Sequence, residues 1–394
     1  MTTTVNNEQK KLNVPNLRFP EFQGEWEVES IKDVADFMGG GTPSSSNESF
    51  WQGTIPWISS SDIVENDIKN ISISRYITEE AIAHSATKLC PAPSILIVSR
   101  VGVGKIALSK EAICTSQDFC NLINIKVEPI FLTYCLSQIM KRKSMEVQGT
   151  SIKGITTSEI QKISINIPSL QEQKKIGKIL SLLDEHIATQ NKIIEDLKKL
   201  KSAIIEKLYK EIQGTWYSYR QLFSIINERN KQLEYSNVLS ASQERGMVSR
   251  EDLNLDIHFE RSNISTYKIV KNGDYVIHLR SFQGGFAFSE KTGICSPAYT
   301  VLRPNKLLVY GYLSNYFTSR DFVKSLIIVT YGIRDGRSIN VDEWLDMKVV
   351  IPSKEQQTHI VNVIGSIENK IKNEETYSNC LLNQKQYLLR QMFI

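Results

Sequence analysis

The sequence predicts an α+β protein: two tandem-duplicated α+β globular domains separated by two long helices that form an antiparallel coiled coil, the whole pseudo-two-fold symmetric. Three observations predict it. The chain repeats itself at long range, each repeat closes on a segment with heptad spacing, and each opens with short β-branched runs bounded by Gly, Pro or Asn.

The repeat is clearest where Ile167-Pro168-Ser169-Leu170-Gln171-Glu172-Gln173 runs without a gap against Ile351-Pro352-Ser353-Lys354-Glu355-Gln356-Gln357 and on through the following helix. Upstream, Ile155-Thr156-Thr157-Ser158-Glu159 matches Ile339-Asn340-Val341-Asp342-Glu343, and the turn after Arg100 matches that after Arg280. At the two beginnings, Gly24-Glu25-Trp26 matches Gly214-Thr215-Trp216. These matches divide the chain into a globular domain at 1–166, a helix at 167–210, a second globular domain at 211–350 and a second helix at 351–394.

Within the domains, residues 94–99, 122–127, 274–279 and 347–351 read as strands because β-branched residues dominate them. Residues 130–145 and 309–328 read as helices, and 39–47 as an exposed Gly/Ser/Thr loop. Trp26, Trp57, Trp216 and Trp344 are expected to anchor the cores.

The helices carry apolar seams. In the first, Ile176, Leu180, Leu183, Ile187, Ile194, Leu197, Ile204 and Leu208 follow a 4-3 spacing broken by Gln190 and Lys201. The second carries Ile360, Ile364, Ile367, Ile371, Leu381, Leu388 and Met392, broken at Glu374, Ser378 and Lys385. An antiparallel register placing Lys201 against Glu374 also sets Gln190 against Lys385, Ile187 against Leu388 and Ile194 against Leu381. A shift by one heptad would place Lys201 against Ile367, burying an unpaired ammonium, so the polar breaks are expected to pin the register. The alternative is that each seam packs only on its own globular domain.

Composition narrows the function. The 394-residue chain is 41% hydrophobic and 23% charged with a net charge of +4, a globular balance whose basic excess is too small to demand a nucleic-acid partner. Nothing approaches the roughly 20 apolar residues of a membrane span, and the polar residues 1–11 lack the apolar core of a secretory signal. A cytoplasmic protein is expected. The six cysteines form no CxxC pair, which points to reduced, mostly buried thiols.

Catalytic patterns are missing. No Gly-rich cofactor loop, HExxH helix or Gly-x-Ser-x-Gly elbow occurs, and the turn Arg100-Val101-Gly102-Val103-Gly104-Lys105 lacks the upstream Gly of a phosphate-binding loop. Asp252, Asp256, His258 and Glu260 alternate as metal ligands could, but also as the solvated face of a strand does. No catalytic, cofactor-binding or metal-binding residue is assigned; the chain is expected to bind rather than react.

At this point the residues resemble a known family, the specificity subunits of type I restriction-modification systems. The duplicated Ile-Pro-Ser helix start, the segment from Gly41-Thr42-Pro43 to Ile55-Pro56-Trp57-Ile58-Ser59, the opening Arg18-Phe19-Pro20 and the closing Leu389-Arg390-Gln391-Met392-Phe393 carry the resemblance, which covers essentially the whole chain. The second domain departs from it, having no Gly-Thr-Pro or Ile-Pro-Trp. The resemblance implies two target-recognition domains, each reading half of a split DNA site in the major groove, with the helices setting the unread gap. It implies as partners double-stranded DNA, two modification subunits that bind S-adenosylmethionine and two restriction-translocation subunits that use ATP and Mg. No cofactor falls to this chain, and no membrane is involved.

Gly-flanked basic, amide and hydroxyl residues suit close approach to base edges. The first domain offers Ser59, Ser60, Ser61, Asp62, Arg100, Lys105, Thr150, Ser151 and Lys153. The second offers Ser240, Ser242, Gln243, Arg245, Arg280, Gln283, Tyr331, Arg334, Arg337 and Ser338. The residues expected to pair the helices are Ile187, Gln190, Ile194, Lys201, Ile371, Glu374, Leu381, Lys385 and Leu388. Two other readings stay open: a specificity subunit serving a fused restriction-methylation enzyme, and a scaffold that holds protein partners without touching DNA.

Overall fold

The computed structural model describes residues 12–148, 154–242, 245–253, 261–278, 285–331 and 338–394. They fall into two compact units: the first runs to Gln190 and takes in Tyr377–Ile394, and the second is Asn191–Thr376.

The first unit is built on a four-stranded antiparallel sheet in the order Asp36–Gly39, Phe119–Ile123, Ser94–Val98, Ile106–Ser109. Every residue of its two central strands is buried, which is why both read as nearly unbroken apolar runs. Ile95 and Ile97 face a core shared with Phe131, Leu132 and Leu136 of the helix Pro129–Gln148. Leu96 and Val98, one step out of phase, face Ile58 and Ile113 of a second sheet. That second sheet is ordered Arg75–Ile77, Ile55–Ile58, Ile113–Thr115, Leu89–Cys90, with its middle pair parallel. The strand expected at 122–127 is Phe119–Ile123 instead, because Asn124 turns the chain through φ 50°.

The second unit reuses the inner layer: Phe223–Ile226, Thr300–Pro304, Tyr275–Ile277, Phe286–Phe288, in the same order and all antiparallel. Its outer layer differs, with two separate ribbons, Leu239–Ser242 with Gly246–Ser249 and Lys268–Val270 with Gly293–Cys295. The helix expected at 309–328 is broken into Tyr312–Tyr316, Arg320–Ser325 and the 3-10 turn Leu326–Val329. Ser319 causes the break: its hydroxyl accepts the Phe322 amide at 3.3 Å and starts a new helix, which turns Phe317 and Phe322 into the same aromatic core.

Each unit ties its first strand to its last: Glu27–Ser30 pairs with Ser164–Ile167, and Thr215–Ser218 with Lys348–Ile351. The registers place Trp216 opposite Val350 and Val28 opposite Asn166, so Trp216 occupies the place of Val28 rather than of Trp26. Trp26, Trp57 and Trp344 are core residues as expected, whereas Trp216 is 65% exposed. The two-residue offset between sequence match and strand register is the reason for that correction.

The long helices are Leu170–Lys210 and Lys354–Gln391. Their duplicated starts have a physical meaning. Ser169 and Ser353 accept the amides of Glu172 and Gln356. The buried Gln173 donates to the Pro168 carbonyl at 2.8 Å and accepts the Glu128 amide at 2.9 Å. Gln357 donates to the Pro352 carbonyl at 3.1 Å and accepts the Val309 amide at 2.8 Å. Each glutamine thus bonds its helix start to its own unit.

The helices also pack on each other within each unit, and antiparallel. In the first unit Ile176 and Leu180 share a core with Leu389 and Met392, and in the second Ile205 shares one with Ile360 and Ile364. The expected register does not hold. Lys201 pairs with Glu368 at 2.6 Å rather than with Glu374, and Lys385 pairs with Asp184 at 2.5 Å rather than meeting Gln190. The helices are displaced by nearly a heptad, the shift expected to bury Lys201. The ammonium escapes burial because its stem runs along the seam to a flanking carboxylate, leaving the side chain 25% exposed. Glu374 pairs with Lys370 on its own helix. Among the residues expected in the seam, Gln190, Ile194, Ile371 and Leu381 are buried, and Ile187, Lys201, Glu374, Lys385 and Leu388 are half-buried. Among the described residues no helix is long and apolar enough to cross a membrane.

Candidate nucleic-acid interface

In the first unit the chain leaves the strand Ile55–Ile58 through the 3-10 turn Ser60–Asp62, capped by Ser59. The Asp62 carboxylate accepts the Ser59 amide at 2.7 Å and its hydroxyl at 3.1 Å, and it pairs with Arg75. Arg75 also donates to the Ser59 hydroxyl at 2.7 Å, and its guanidinium lies 4.5 Å from the centroid of the Trp57 ring. Trp57 is itself held by a 2.9 Å bond from its indole to the Gly41 carbonyl. Asp62 and Ser59 are therefore engaged in holding an arginine, and the group presented outward is Arg75, its side chain 38% exposed.

The sequence reading missed Arg75. The signal that finds it is strand register, since Trp57 and Arg75 are direct partners across the hairpin. The register brings an indole face under a guanidinium, and the capping carboxylate fixes the fork.

Lys105 joins the Gly-rich turn to this loop by donating to the Ser60 carbonyl at 3.2 Å. Gly102 and Gly104 take left-handed conformations, with φ of 86° and 104°. A Cβ on Gly104 would stand 2.9 Å from that of Ser144, so the turn lies against the flank of the helix Pro129–Gln148. Arg100 is exposed at the other end of the turn. Beside it Ile155 donates to the Ser99 carbonyl at 2.8 Å, and a Cβ on Gly154 would meet the Ser99 oxygen at 3.1 Å. The structure thus gathers Ser59, Ser60, Asp62, Arg75 and Lys105 and leaves Ser61 exposed alongside. Thr150, Ser151 and Lys153 lie outside the described residues.

In the second unit Ser240 is buried, and the Ser242 hydroxyl accepts the Arg245 amide at 3.4 Å. Burial pushes the Tyr299 phenol above its ordinary value, against hydrogen bonds from the Ala241 amide and from Ser240. His278 meets Tyr299 edge-on, ring centroids 5.0 Å apart, and Lys268 donates to the Tyr299 carbonyl at 2.7 Å. Burial depresses the Lys268 ammonium. His278 and Tyr299 were not foreseen. Tyr331 and Ser338 are register partners across a short ribbon. Gln243, Arg280, Gln283, Arg334 and Arg337 lie outside the described residues.

The described residues offer little for covalent or metal chemistry. All six cysteines are free thiols, five of them buried, and burial raises Cys90 to about 11 and Cys114, Cys135 and Cys295 to about 12. Among the described residues no group of three or more His, Cys, Asp or Glu could hold a metal ion.

Comparison with known proteins meets this geometry. Residues 23–199 match the type I restriction modification DNA specificity domain. The chain is 31% identical over 229 residues to the type I restriction enzyme MjaIX specificity subunit of Methanocaldococcus jannaschii, covering 56% of this chain and 49% of that one. It is also 31% identical over 238 residues to the EcoR124I/EcoR124II specificity subunit of Escherichia coli, covering 58% and 57%. The matches span about half the length of these curated relatives. Among solved structures, the type I restriction-modification S subunit from M. genitalium superimposes with a TM-score of 0.57 at 15% identity, covering 97% of this chain and 99% of that one. That likeness concerns the fold.

Proposed function

We propose, for a chain that belongs to the type I restriction-modification DNA specificity family, that its two units read the two halves of a split duplex target. The observation that carries this reading is one framework used twice under unlike polar faces. Both units have the same inner sheet order and the same buried glutamine at the helix start. The first shows an arginine clamped between an indole and a carboxylate, the second a His–Tyr pair beside Ser240. Guanidinium, hydroxyl and imidazole groups distinguish base pairs by their major-groove edges, so unlike faces on like frames suit two different half-sites.

In this reading the chain performs no reaction and holds no cofactor or metal of its own. Two modification subunits bring S-adenosylmethionine and methylate adenine, and two restriction-translocation subunits bring ATP and Mg. Methylation mapping in cells that express the chain with its modification subunits tests it. Two short motifs separated by a fixed gap are expected; a continuous motif, or methylation that does not depend on this chain, overturns the proposal.

A further inference from the structure

A cavity of about 730 Å³ opens in the first unit beside the Gly102–Lys105 turn, the end of the helix Pro129–Gln148 and the last turns of the second long helix. Its wall carries Lys105, Lys141, Arg142, Lys385 and Arg390 against one side-chain carboxylate, that of Glu65, with Ile394 also lining it. Lys385 is neutralised by Asp184, whereas Lys105 and Lys141 bond only neutral oxygens, of Ser60 and Asn66. No ion pair ties Arg142 or Arg390 to a carboxylate among the described residues, and both are exposed. A second cavity of about 440 Å³ shares Arg142 and adds Lys143 and Lys162. The one acidic side chain lining it, that of Glu159, is committed to capping Thr156, accepting its amide at 2.7 Å.

Residues 1–166 contain slightly more acidic than basic side chains, so this gathering is local and not a product of overall charge. Service to a helix dipole does not account for it either. That effect is confined to the last turn: Arg390 does lie in the last turn of its own helix, but Arg142 lies upstream of the last turn of Pro129–Gln148 and Lys105 belongs to the Gly-rich turn, on no helix. Like charges converging on a concave wall raise the potential there and draw a polyanion.

We infer that this cleft seats the sugar-phosphate backbone of duplex DNA flanking the half-site read by the first unit, with Arg142 and Arg390 each on a phosphate. The inference rests on the proposed DNA reading. Lys105 makes the cleft continuous with that surface, since it lines the cleft and bonds the Ser60 loop. Phosphate contacts position a reader without choosing its sequence, and that separates this cleft from the Arg75 face.

The test uses the chain assembled with its modification subunits, titrated with target and scrambled duplexes over a salt series. Arg142→Gln with Arg390→Gln is expected to weaken both duplexes alike, by about tenfold at moderate salt. The slope of log affinity against log salt should fall by about 0.9 for each arginine removed, with the methylated motif unchanged. Arg142→Lys should keep the wild-type slope. Unchanged affinity and slope overturn the cleft while leaving the DNA reading intact. Loss of the modification subunits from the complex overturns it in favour of a protein seat, and a change at one base of the motif in favour of base reading. If the wild-type assembly binds no duplex, the functional reading fails and the cleft fails with it.

Discussion

The two units share their inner architecture but are anchored differently. Both lock the start of a long helix with a buried glutamine, Gln173 or Gln357, bonded to a backbone carbonyl and a backbone amide. Only the first adds Arg18, which forks onto Glu172 through two 2.8 Å bonds; the corresponding Gln356 of the second is exposed. The outer layers diverge further, a four-stranded sheet in one and two ribbons in the other. The difference teaches that the duplicated frame preserves what joins the helices to the units, while the outer layer and the polar groups it presents are free to change.

The largest effect is expected where the symmetry is already broken. Arg18→Ala leaves the Glu172 carboxylate, 1% exposed, without its partner, and should destabilise the first unit by about 3 kcal/mol. Hydrogen exchange should show the loss in the first unit alone; equal loosening of both would mean that the two fold as one cooperative block.

Next come the matched changes Gln173→Ala and Gln357→Ala. Each strips a half-buried amide of its acceptor and a buried carbonyl of a donor, costing about 2 kcal/mol. Chemical denaturation of the two variants should give similar losses. A loss in only one would show that the duplicated motif is kept for different reasons in the two halves.

The smallest expected change concerns reading. Arg75→Lys keeps the charge but loses the planar fork, and should relax discrimination at one base of one half-site by about tenfold, the lower end of what a bidentate pair supplies. Methylation mapping should find the other half-site untouched. Relaxation in both halves, or in neither, would remove Arg75 from the proposed contact surface.

Some of this was legible beforehand. The central strands Ser94–Val98 and Tyr275–Ile277 were placed because burial on both faces leaves an apolar run, whereas their neighbour Thr300–Pro304, only partly buried, was not foreseen. The caps at Thr156 and Asn340, which accept amides of Glu159 and Glu343, sit at matched positions of the repeat. Arg75 was invisible because its meaning depends on a partner across a hairpin. Trp216 was misplaced because a match of letters cannot detect a two-residue slip in strand pairing. Lys201 misled because a long side chain on a seam need not bury its charge.

By itself the sequence determined the duplication, the order of the elements and the starts of both long helices. Those follow from periodicity and from residues that act on neighbours a few positions away. Only tertiary structure decided the helix register, the break near Ser319 and the group that each unit presents to solvent. Each of these depends on which distant side chain is within reach, and such distances exist only once the chain has folded.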